Sequence, residues 1–132
     1  MKNEFSNAAA AGAVTAAVLA FAAAPAAAHH SHVMFDSTTE ETITGTVKSF
    51  AFQNPHVYLF VNVAERGSGE IITYVVEMSY VQNMITHGIT ATTFKQGDRV
   101  TVKMNPLRDG RPGGSYITVS EDGKLFGRGA EQ

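Results

Sequence analysis

Between Thr42 and Lys48 the chain alternates strictly: Ile43, Gly45 and Val47 take one parity, and Thr42, Thr44, Thr46 and Lys48 the other. Successive side chains of a strand point to opposite faces, so this segment reads as a half-buried strand. The alternation returns at Val57, Leu59, Val61 and Val63, set against His56, Tyr58 and Phe60, and again at Val100, Val102 and Met104. Short alternating runs separated by turn residues, in a chain of 132 residues, confine the fold to one small sandwich or barrel.

The apolar phase slips inside the first run, because Phe50 and Phe52 are even-numbered. A slip of this kind predicts a β-bulge near Lys48-Ser49, the device that bends a strand around a barrel corner. Asn54-Pro55 then breaks the run, and Asn54 and His56 are expected to bond to local backbone. Arg66 to Gly69 reads as a loop, and Ile71 to Met78 as a third strand. Ser79 is the expected N-cap of a short helix reaching His87, with Val81, Met84 and Ile85 as its apolar stripe. Gly88 suits the left-handed position that ends such a helix. Lys95 to Asp98 is a turn, Asn105 to Gly114 a long loop, Tyr116 to Val119 a fifth strand and Lys124 to Phe126 a short final one. Three strands, a helix and two strands is the element order of an OB-like, five-stranded Greek-key barrel. It is expected over residues 41–126, after a histidine-containing segment at 29–40 and before a flexible tail at 127–132. A β-sandwich fragment is the rival, and it does not call for the helix.

The first 28 residues read as an address. Lys2 is their only basic side chain, Ala8 to Ala24 carry no charge, and Pro25 precedes Ala26-Ala27-Ala28. This is the pattern of a cleaved signal peptide. The rival is a transmembrane anchor, for which an alanine-rich run of roughly 17 residues stands at the bottom of the spanning range. Cleavage after Ala28 exposes His29-His30-Ser31-His32 as the new chain start. The expectation is an exported bacterial protein, periplasmic or secreted, touching the membrane only transiently through its signal peptide. The absence of cysteine excludes disulfides, Cys-ligated zinc, iron–sulfur clusters and thiol catalysis. A net charge of −2 lacks the basic excess of a dedicated nucleic-acid binder, so the expected partner is a protein or a small ligand and no nucleic acid.

An ordered set of short motifs spans the rest of the chain. It comprises Ala28 before His29-His30-Ser31, Met34-Phe35-Asp36, Thr44-Gly45-Thr46-Val47, Asn54-Pro55-His56, Glu77 and Gly88. Gly97-Asp98, Pro106, Asp109-Gly110 and Pro112-Gly113-Gly114 complete it. In this set the chain resembles a family of small exported bacterial proteins, a domain of unknown function. It departs at Phe52 and Ile89, where the family favours tryptophan, and at Asn105, where histidine is common. The resemblance implies export and a compact β domain, and supplies no activity.

Three constellations carry chemistry. If His29 is the first residue, its amino group and imidazole chelate one metal ion together, and His30 or His32 adds a third nitrogen. Nitrogen-rich tetragonal sites favour Cu(II), so copper is the expected cofactor; the bland alternative is a solvated stub. The second constellation is His56 with Met78. A strand pairing sum of 134 would set them opposite each other, and imidazole with thioether suits Cu(I). A one-residue slip would bring His56 to Glu77 instead, and the simpler role of Met78, Met84 and Met104 is core filling. The third is a ligand face of Tyr58 and Phe60, with Tyr74 beside them and Arg108 and Arg111 flanking it. Aromatic rings stack on sugars or bases, and guanidinium groups hold anions. No His-Glu-x-x-His, phosphate loop or nucleophile elbow occurs. The function expected is therefore binding without catalysis: copper at the mature N terminus, assisted by His56, or a metal-free protein- or glycan-binding module.

Overall fold

The computed structural model describes residues 32–127. The expected signal peptide, His29, His30 and the tail from 128 onward lie outside the described residues. A 3-10 turn at His32–Met34 precedes strands β1 (Glu41–Ala51), β2 (Tyr58–Ala64) and β3 (Ile71–Glu77). Helix α1 (Val81–Thr86) follows, then β4 (Arg99–Pro106), β5 (Gly113–Glu121) and β6 (Lys124–Gly127).

The strands lie in the order β3-β2-β1-β4-β5, with β6 added to β5. β5 also returns to β3 in parallel, pairing Val75 with Gly113, Val76 with Gly114 and Glu77 with Ser115. That seam closes a five-stranded barrel, and with α1 between β3 and β4 the topology is OB-like. At Gly113 the backbone stands at φ 147°, and a β-carbon there would collide with the Val75 carbonyl. Only glycine lets the two strands cross this closely.

The phase slip in β1 is a bulge. Val47 pairs with Val61 and Ser49 with Phe60, so Lys48 is the extra residue. Val47 faces inward before it, and Phe50 and Phe52 pack against the core after it. One strand thereby serves two walls of the barrel.

Five local expectations are corrected. The helix is capped by Tyr80, in extended conformation and with no side-chain bond, and Ser79 is not the cap. Ser79 prolongs the β2–β3 pairing instead, its carbonyl accepting from the Val57 amide at 3.0 Å. The open Val81 amide donates to Asn54 Oδ1 at 3.0 Å, so Asn54 serves the helix and not its own turn. The segment 105–114 is loop only in its middle. Asn105 and Pro106 end β4 while Gly113 and Gly114 begin β5, because the glycines serve the seam; the loop narrows to 107–112. The strand pairing sets Tyr58 opposite Glu77 and Leu59 opposite Val76, one residue from the expected register. This register buries Leu59 and Val76 together, both fully inaccessible, whereas the expected one pairs inward with outward residues. Finally, Tyr74 pairs with Val61 and packs against the core, so it does not share a face with Tyr58 and Phe60.

The core is a column of small branched residues, among them Val47, Leu59, Val61, Val100, Val102 and Val119. Met84 and Ile89 plug it below α1. Gly88, at φ 77°, turns the chain between them. Phe94 stands edge-on to Phe50 and Phe126, with ring centroids 5.2 and 5.5 Å away.

Candidate functional site

The segment after His32 is laid across the end of the barrel where the seam lies. Phe35 forms a bridge with Leu107. The Asp36 amide donates to the Pro106 carbonyl at 2.8 Å, and the Arg108 amide to the Met34 carbonyl at 2.9 Å. Arg108 Nε also donates to the Val33 carbonyl at 3.1 Å. Asp36 locks the following turn by accepting from the Thr38 hydroxyl at 2.6 Å and the Thr39 hydroxyl at 2.9 Å. These bonds hold its carboxyl below the usual range.

Behind Phe35 lies a cavity of about 190 Å³ between the end of β3, helix α1 and the start of β5. His56 and Glu77 form one wall, Asn83 and His87 of the helix a second, and Ser115 and Tyr116 of β5 a third. Met78 and Met84 give it an apolar floor. His56 Nδ1 lies 3.1 Å from Glu77 Oε1, while the Tyr58 hydroxyl donates to Glu77 Oε2 at 3.4 Å. An imidazole and a hydroxyl thus meet one carboxylate, one at each oxygen. Burial, and then the charge of Glu77, raise the Tyr58 hydroxyl above the ordinary phenol range. Across the cavity, His87 Nδ1 lies 3.5 Å from the Tyr116 hydroxyl, and the two rings are 6.2 Å apart.

Glu77 and Phe35 also belong to a shallower, largely apolar groove of about 330 Å³ on the outside of the seam. Tyr58, Val75, Leu107, Arg111 and Pro112 line it. Two of the four expected ligand residues, Tyr58 and Arg111, therefore meet there. Phe60 stacks beside Tyr58 at 6.3 Å without lining the groove, and Arg108 is occupied by the N-terminal segment. Arg111 is itself held by Asp109, at 2.7 Å from Nε to Oδ2.

Of the expected metal ligands, His56 is in the cavity wall and His32 contributes backbone to the 3-10 turn. Among the described residues, no group of three or more His, Cys, Asp or Glu side chains is arranged to hold a metal ion. His56 and Met78 do line one cavity, although the register does not set them opposite each other. His87 and Tyr116 are site residues that sequence reasoning passed over. Their signals were slight: a histidine at the helix end before Gly88, and a tyrosine on the inward parity of β5.

The barrel and its cavity define a small OB-like β-barrel domain. The chain belongs to a family of unknown function, DUF6152, whose model matches residues 16–116. No curated protein matches it. Among solved structures it is similar to Rim1, a mitochondrial single-stranded DNA binding protein from S. cerevisiae, at 12% identity and a TM-score of 0.49. That likeness covers 64% of this chain and 93% of the other. The exclusion of nucleic acid drawn from the net charge is withdrawn. A whole-chain charge averages over faces and rules out no partner of one face. At this similarity the likeness carries no partner over to this chain.

Proposed function

We propose that this is an exported periplasmic domain that binds a ligand and does not catalyse, with its working end at the mouth crossed by Phe35. Its specific reading is copper binding at the mature N terminus through His29, His30 and His32, assisted by His56. The observation that supports it is the pinning of Val33 to Asp36 onto the barrel end whose cavity contains His56. A histidine cluster immediately before a fixed segment has its donors tethered near that end, which lowers the entropy cost of gathering them around one ion.

The intact mass of the exported protein establishes its first residue. A Cu(II) titration of that same protein, beside a His29→Ala/His30→Ala variant, then tests the site. Tight one-to-one binding that the variant loses supports the reading. Equal and weak binding by both rejects it. Extra residues ahead of His29 would block the free amine and abolish the chelate.

The groove between Tyr58 and Arg111 favours a second reading, a metal-free protein- or glycan-binding module on the outer face of β2 and β3. Binding that survives removal of the histidines and fails in Tyr58→Ala would favour it.

A further inference from the structure

We propose that the cavity behind Phe35 is a binding site for a small organic ammonium ion. The inference uses only the described barrel and stands apart from the copper reading.

Size limits the ligand first. A cavity of about 190 Å³ holds roughly one six-membered ring with a short substituent, since an apolar cavity of about 150 Å³ accommodates benzene. Its polar walls and its opening to solvent suit a ligand that carries a polar head.

Charge decides the sign of that head. Among the described lining residues Glu77 carries the permanent charge, and no lysine or arginine accompanies it. An anion would therefore enter against the carboxylate with no fixed cation to hold it. A carboxylate offers about four acceptor positions, and His56 and Tyr58 approach one oxygen each. The acceptor positions that remain give an ammonium ion a charge-assisted hydrogen bond together with neutralisation of the carboxylate.

The remaining walls fit the same ligand. Phe35 and Tyr116 line the cavity, and an aromatic ring attracts a cation that meets its face. The Asn83 carboxamide supplies a further acceptor for ammonium N–H groups. The thioethers of Met78 and Met84 supply polarisable contact for the organic substituent.

The test is an amide-shift titration of the exported protein with three probes of one shape: benzylamine, benzyl alcohol and benzoate at neutral pH. Benzylamine is expected to move the amides of Ser79, Asn83 and His87 and to bind about tenfold more tightly than the alcohol, roughly the worth of one charge-assisted bond. Benzoate is expected to leave them unmoved. Glu77→Gln should erase the preference for the amine. Asn83→Leu, which narrows the cavity and removes the second acceptor without touching Glu77, should weaken the amine more than the alcohol and serves where Glu77→Gln does not fold. The proposal is overturned if benzylamine at millimolar concentration moves none of these amides. It is equally overturned if benzoate or the alcohol binds as tightly as the amine, or if the shifts fall on Val75 and Leu107 in the outer groove.

Discussion

The two ends of β5 carry half-buried carboxyl groups in opposite company. At its start, Ser115 pairs with Glu77, on which the His56 imidazole and the Tyr58 hydroxyl converge. At its far end, Glu121 pairs with Val100 and meets a second carboxyl, that of Asp98. Burial first, then the Asp98 hydrogen bond and charge, push Glu121 up to about 7. Asp98 is held low, chiefly by the Lys95 amide that donates to its Oδ2 at 2.7 Å. One acidic residue type thus does two jobs. Surrounded by donors, it makes a negative wall for a cavity; beside another acid, it takes up a proton and closes a turn.

The largest expected effect asks what supports the donor-rich end. Met84 is fully buried beneath that cavity, so Met84→Ala should cost about 2–5 kcal/mol in urea denaturation. A value near zero would mean that the helix is not docked. Glu77→Ala should cost about 1–3 kcal/mol, because it strands the half-buried Tyr58 hydroxyl that donates to it; Glu121→Gln at neutral pH should cost less or stabilise.

The acid-rich end should show itself through pH. A carboxyl raised from 4.5 to about 7 binds its proton more tightly in the folded chain, so its stabilising contribution is complete at low pH. It disappears as pH rises through about 7. Thermal melts between about pH 5 and pH 8 should therefore fall in midpoint, and Glu121→Gln should flatten the decline. A steeper decline in the variant would show that another group is responsible. The smallest effect is expected at the exposed Lys103–Glu40 pair, 2.9 Å apart. Lys103→Ala should shift stability by less than about 1 kcal/mol and separate solvated charge from the two built carboxyl sites.

Strand parity carried most of the fold into the sequence. Ile43 to Val47, Val57 to Val63 and Val100 to Met104 each announce a face because a half-buried strand cannot hide its period. The slip at Lys48 announces the bulge for the same reason. What no local pattern encodes is how distant pieces meet. The seam rests on three residue pairs more than 35 residues apart in sequence, and its glycines resemble turn glycines until β3 is placed against them. Asn54 reaches a helix 27 residues away. His56 and Glu77 were legible as a possible pair, but by a register slip in the wrong direction. The structure joins them on a diagonal, with Tyr58 standing opposite Glu77. His87 enters the same cavity only because α1 is seated on the barrel end, a consequence of Met84 packing that a six-residue helix does not advertise.

The claim that function resides at the donor-rich end is tested most directly by adding one equivalent of Cu(II) to the exported protein and mapping which amide signals it broadens. The account predicts loss of signal at Val33 to Asp36 and at His56, with Asp98 and Glu121 left sharp. Broadening centred on Asp98 and Glu121, with Val33 to Asp36 undisturbed, would contradict it.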